Sequence, residues 1–303
     1  MSGIISLGYV RIEARDLDAW RRFGTDVLGA VEGTGPDPSA LYLRLDEFPA
    51  RLVVLPGEKD RLVTIGFEAP TAEDVARIAG RLDRAGIAAK QASAEELADR
   101  RVCDLVRFDD PYGNAVEVFS GAFLDGTPFL SPVGARFVTG TGGMGHVVIG
   151  TADVDPGLAF YRDVLGLRLR DTMQVPAFAA GLAESAGPLW MKFLGCGPRH
   201  HSLALAPFTH PTGIIHVMVE VDTLDNVGRA VDRASATRGV LASTMGRHAN
   251  DNMVSCYLNT PSGFMIEYGY DGITVADDEA WVPHVTGAHT VWGHRWLRGG
   301  GGH

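Results

Sequence analysis

The chain has 303 residues, 46% of them hydrophobic, enough to build one large or two medium apolar cores. A formal charge of -10 without any basic run excludes a phosphate-backbone partner, so no nucleic acid is expected. No run of about 18 apolar residues and no basic leader is present, so a soluble, cytoplasmic protein with no membrane partner is expected.

The first element, residues 9–29 (YVRIEARDLDAWRRFGTDVLG), reads as an apolar strand, a helix opened near an Asp, and a Leu-Gly stop. Residues 62–68 follow as a strand before a helix opened by Thr71, with Asp74 three residues on in a capping-box-like position. Asp110-Pro111-Tyr112-Gly113 is a turn into an apolar strand carrying Glu117. A linker rich in Gly, Pro and Thr spans 131–143.

The pattern then begins again. HVVIGTADVDPGLAFYRDVLG, starting at His146, matches the segment starting at Tyr9 without a gap, 137 residues later. Residues 214–220 lead into a helix opened by Thr223, and Thr260-Pro261-Ser262-Gly263 leads into a strand carrying Glu267. A repeat fixes architecture more firmly than local propensity does. It predicts an α+β fold of two tandem domains, each of two strand, helix, strands units, whose curved mixed sheets enclose a cavity. The expected boundaries are 1–133, 142–275 and a tail, 276–303. In that tail His284, His289 and His294 recur at a spacing of five, which fits neither a helix face nor a strand face. The tail therefore reads as a packed segment and not as a second metal site, and its closing GGGGH as disordered.

All ten histidines lie after residue 145. At matched repeat positions His146 corresponds to Tyr9, His216 to Thr64 and Glu267 to Glu117. Two related halves using histidine as filler would share it more evenly, so the chemistry is expected in the C-terminal half. Taken singly, a strand histidine is more often a hydrogen-bonded structural residue than a ligand. Here two imidazoles and a carboxylate can point from strands into one concave face, leaving three adjacent octahedral positions open. Non-haem iron(II) oxygenases use this arrangement, although manganese(II) accepts it too. Cys103, Cys196 and Cys256 show no C-x-x-C spacing, so a disulfide framework and a thiolate metal site are both unsupported.

The segment GRHANDNMVSCYLNTPSGFMIE, residues 246–267, resembles the signature of the type I extradiol dioxygenases of the vicinal oxygen chelate superfamily, and the similarity runs over essentially the whole chain. Cys256 departs from the apolar residue usual there, which implies a packing change and not lost chemistry. The resemblance implies two βαβββ modules per domain and a metal, Fe(II) before Mn(II), held by His146, His216 and Glu267. It implies His201, within GCGPRHHSLAL, as the acid-base histidine in preference to His200, on the expectation that successive strand residues face opposite ways. His248 and Tyr257 are to orient substrate oxygens, with Asn250 and Asp251 on the substrate side. Met173, Val175, Phe178, Trp190 and Phe193 can wall an apolar pocket, with Val148 and Phe193 foremost.

The reaction implied is extradiol cleavage of a bicyclic or polycyclic catechol by O2. The runs SLGYVRIEARDLDAW and FPARLVVLPGEKDRL are most similar to actinobacterial steroid-degrading members. A symmetric homo-oligomer, often an octamer in that family, is also implied. The same fold hosts glyoxalase-type isomerases and metal-free binding proteins, and fold alone does not choose among them.

Overall fold

The computed structural model describes residues 3–177 and 181–297; Phe178 and the closing GGGGH lie outside them. Each half of the chain builds one sheet. The first contains β1 Ser6–Ala14, β2 Val31–Glu32, β3 Leu41–Arg44, β4 Leu52–Pro56, β5 Arg61–Glu68, β6 Lys90–Gln91, β7 Val102–Asp109 and β8 Ala115–Ala122. The second contains β9 His146–Gly150, β10 Arg168–Val175, β11 Leu189–Gly195, β12 Leu203–Ala206, β13 Ile214–Glu220, β14 Gly246–His248, β15 Val254–Asn259 and β16 Met265–Tyr270. Two tail strands join it, β17 His284–Thr286 and β18 Thr290–Gly293.

The orders are β2-β3-β4-β1-β5-β8-β7-β6 and β17-β10-β11-β12-β9-β13-β16-β15-β14-β18. Without the tail these are the same sheet twice, two βαβββ modules side by side with β1 antiparallel to β5 and β9 antiparallel to β13. The tail, expected as a packed segment, supplies an edge strand at each end of the second sheet. Its strands need partners distant in sequence, so five-residue spacing carried no sign of them.

The helices start where the side chains allow. Thr71 and Thr223 accept from the backbone N–H of Asp74 and Asn226, opening α2 (Ala72–Arg84) and α5 (Leu224–Ser235). Asp16 accepts from Ala19 N to open α1 (Leu17–Arg22). In the second copy Ala19 is replaced by Pro156, which has no N–H, so Asp153 accepts from Asp155 N instead ahead of α4 (Asp155–Ala159). Both helices run on into π-helical turns, Phe23–Leu28 and Phe160–Val164. A further helix, α3 Ala94–Arg100, is closed at its start by a capping box between Ser93 and Glu96.

The two halves clasp each other reciprocally. Trp20 of the first copy donates to Ser262 Oγ at 2.8 Å, in the closing turn of the second. Tyr161 of the second copy donates to Asp110 Oδ2 at 2.9 Å, in the closing turn of the first. One apolar cluster runs through both halves on the helix-covered faces of the sheets, taking in Val10, Trp20, Phe67, Val147, Tyr161, Val217 and Tyr268. Among the described residues no helix is long and apolar enough to cross a membrane.

Candidate metal centre and its surroundings

Strand alternation sends Val147, Val217, Cys256 and Ile266 to that shared core and their neighbours to the concave face of the second sheet. Two rows cross this concave face. One runs through Phe193, Ala204, Val148 and His216 on β11, β12, β9 and β13. The other runs through His146, Met218, Glu267 and Tyr257 on β9, β13, β16 and β15. Register alone therefore brings His146, His216 and Glu267 together from residues far apart in sequence.

Their donor atoms form a nearly equilateral triangle. His146 Nε2 lies 3.1 Å from His216 Nε2, and these nitrogens lie 3.3 and 3.2 Å from Glu267 Oε2. Bonds of about 2.2 Å to one divalent ion give octahedral neighbours about 3.1 Å apart, so the three atoms fit one face of such a shell. Among the described residues the buried His146 Nδ1 has no hydrogen-bond partner, leaving the polar contacts of that ring to its Nε2 side. Burial pushes the His146 imidazole down to about 4. Although burial opposes it, the carboxyl of Glu267 is held well below its usual range by His248 and the two facing imidazoles. A neutral imidazole and an ionised carboxylate are the forms that bind metal.

Glu267 divides its oxygens. While Oε2 faces the two imidazoles, Oε1 accepts from Ser255 Oγ at 2.7 Å and lies 2.9 Å from His248 Nε2. Despite burial, that carboxylate raises His248 to about 9. Tyr257 Oη stands 2.9 Å from His248 Nε2, so phenol and imidazole meet beside the triangle.

His201 stacks on His146 with ring centroids 3.9 Å apart, whereas His200, its Nδ1 3.1 Å from His201 Nδ1, points its Nε2 to Asp171 Oδ2 at 3.1 Å. The expectation that strand alternation separates them needs correction. Both precede β12 in a loop, where their rings stand at 90° to each other, His201 beside His146 and His200 beside Asp171. Burial, and then the neighbouring His146, hold the His201 imidazole well below its ordinary range. Asp251 is buried with Oδ2 3.9 Å from His201 Nδ1, and Asn250 lies half-buried beside it in the turn.

Val148, Met173, Val175, Met191 and Phe193 form one apolar cluster, with Phe193 edge-on to His201 at 4.9 Å. Trp190 does not join it. Alternation along β11 places Met191 and Phe193 on one face and Trp190, 37% exposed, on the other. Sequence reasoning also missed Ser255, which stands two residues before Tyr257 on β15 and so shares its face. It missed Asp171, which holds His200, and the tail histidines His289 and His294, whose rings stand 4.7 and 4.2 Å from His248.

The model of the Glyoxalase/Bleomycin resistance protein/Dioxygenase superfamily matches residues 143–268, and that of Dihydroxybiphenyl dioxygenase BphC D1 matches residues 7–57. The chain is 50% identical over 291 residues to an "Iron-dependent extradiol dioxygenase" of Rhodococcus jostii (strain RHA1), covering 96% of this chain and 97% of that protein. The chain belongs to the extradiol dioxygenases. A "Biphenyl-2,3-diol 1,2-dioxygenase" of Metapseudomonas furukawaii is 40% identical, with 97% of this chain and 95% of that one aligned. The crystal structure of "BphC, a halotolerant catechol dioxygenase" superposes with a TM-score of 0.89 at 32% identity, over 98% of this chain and 96% of that one. Membership in the extradiol dioxygenases sets aside the isomerase and binding-protein alternatives that share the fold.

Proposed function

We propose that this extradiol dioxygenase opens the ring of a bicyclic or polycyclic catechol with O2, using one Fe(II) held by His146, His216 and Glu267. The donor triangle on the concave face carries the reading, and the printed name of the Rhodococcus relative supports iron over manganese. Bound iron lowers the pKa of both catechol hydroxyls and makes O2 reactive toward the ring.

The residues around it divide the remaining work. His201, uncharged through burial, accepts and returns a proton on the face where it stacks against His146. His248 and Tyr257 orient the substrate oxygens from the opposite side, and Asn250 and Asp251 border the substrate. Val148 and Phe193 wall the ring system, with the small Ala204 between them leaving room for it. Residues 142–275 act as the catalytic domain, 1–133 as its scaffold, and 276–303 as the tail.

Of the catechols in this class we favour one from bacterial steroid degradation over a biphenyl-type one, on the similarity of residues 6–20 and 48–62. The enzyme works in the cytoplasm as a symmetric homo-oligomer, with the exposed Phe123, Leu124 and Leu130 as apolar surface for subunit contact. Steady-state kcat/KM for 2,3-dihydroxybiphenyl, a steroid-derived catechol and unsubstituted catechol tests the substrate assignment. The two bulky catechols are expected to exceed catechol by at least about tenfold. A preference for unsubstituted catechol would contradict it.

A further inference from the structure

The tail from His284 to Gly293 joins both edges of the catalytic sheet, pairing with β10 at one end and with β14 at the other. At the second end it comes down on the metal centre. His248 Nδ1 lies 3.1 Å from the carbonyl oxygen of His289, and Ala249 N donates to the same oxygen at 3.3 Å. His294 is buried with Nε2 3.2 Å from Ser255 Oγ, while Ser255 Oγ is 2.7 Å from Glu267 Oε1.

The hydrogen bonds of this chain run in one direction. An ionised Glu267 only accepts, so Ser255 uses its single proton on Oε1. Its oxygen then accepts from His294, which carries its proton on Nε2; Nδ1 is left to accept from Thr290 Oγ1 at 3.1 Å, which requires the Thr290 proton to turn from the carbonyl oxygens of Arg247 and Trp292, each 2.8 Å away. A fully buried serine hydroxyl with both functions used has little freedom to rotate. The fit is also tight in shape. A Cβ added at Gly246 would fall 2.4 Å from His294 N and 2.5 Å from its Cγ, so only glycine lets the tail approach this closely.

We propose that His294 is a positioning residue, locking Ser255 so that Glu267 offers the metal one oxygen, Oε2, while Oε1 stays engaged. The proposal rests on the reading of Glu267 as a metal ligand. Second-layer partners of this kind typically change metal affinity by about 10- to 100-fold when removed.

The test is Fe(II) affinity, measured anaerobically by competition with a chromophoric chelator, for the full-length wild type, His294→Ala, His294→Gln and Ser255→Ala, with apo-protein melting as the check on folding. His294→Ala and Ser255→Ala are expected to bind Fe(II) at least about tenfold more weakly. His294→Gln, whose amide N–H can replace the imidazole donor, is expected to stay within about threefold of wild type. Wild-type affinity in Ser255→Ala overturns the proposal even if His294→Ala does not fold. So does a loss in His294→Gln equal to that in His294→Ala, because the histidine would then act by packing alone. A wild type that binds no Fe(II) overturns the ligand reading beneath it, an outcome distinct from either of these.

Discussion

Arg100 reaches Glu117 with two hydrogen bonds, Nη2 to Oε1 at 2.6 Å and Nε to Oε2 at 3.2 Å, at the position of the N-terminal half that matches Glu267. Gly66 sits between Tyr9 and Glu117 in the first sheet as Met218 sits between His146 and Glu267 in the second. One sheet sets an arginine and a phenol against its carboxylate; the other sets three imidazoles, His146, His216 and His248, and the Ser255 hydroxyl. Tyr9 completes the first arrangement by donating to Glu117 Oε2 at 2.5 Å and stacking on Phe119.

Glu117 is fully buried, so removing its cation leaves an uncompensated charge. Arg100→Ala is expected to lower unfolding free energy by about 3–5 kcal/mol in urea denaturation, while leaving Fe(II) affinity unchanged. Pairing it with Glu117→Gln should restore most of the loss. An Arg100→Ala protein as stable as wild type would show that the ion pair is not what holds this half's concave face.

His201 tests the division of labour at the site. It stacks on His146 but stands outside the donor triangle, so His201→Gln is expected to keep Fe(II) affinity within a few-fold and lose about 10²- to 10⁴-fold in kcat. Titration with Fe(II) alongside single-turnover kinetics separates the two effects. Equal losses in both would make His201 part of metal retention.

The sequence carried the repeat because caps, turns and strand patterns recur in both halves, whereas the register that brings His146, His216 and Glu267 together is set by pairings between strands distant in sequence. Ser255 was legible too, two residues from Tyr257 on one strand. His294 was not, since only the pairing of β18 with β14 brings it beside Ser255, 39 residues away. The loop at His200 and His201 was misread as strand because the apolar run after it begins at Leu203. The capping box at Ser93 and Glu96 was written in the chain but lay in a segment with no counterpart in the other half.

Alkaline pH gives a prediction away from the metal. Burial pushes Tyr9 and Tyr161 well above 10 and raises Tyr268 as well. The folded pKa values are raised, so their contribution is fully present below about pH 10 and declines above it, by about 1.4 kcal/mol per pH unit for each tyrosine. Phenolate absorbance of these residues is therefore expected to rise together with loss of far-ultraviolet circular dichroism. Their ionisation well before unfolding would contradict the packing described.

The central claim is that His146, His216 and Glu267 hold the iron through which a catechol ring is opened by O2. Its most direct measurement is O2 uptake together with formation of the ring-opened acid, after anaerobic loading of the wild type and of His146→Ala with Fe(II) and addition of 2,3-dihydroxybiphenyl. One O2 is expected to be consumed per ring opened by the wild type, with neither uptake nor product in His146→Ala. Turnover by His146→Ala at the wild-type rate, or no uptake by a wild type shown to contain iron, would contradict it.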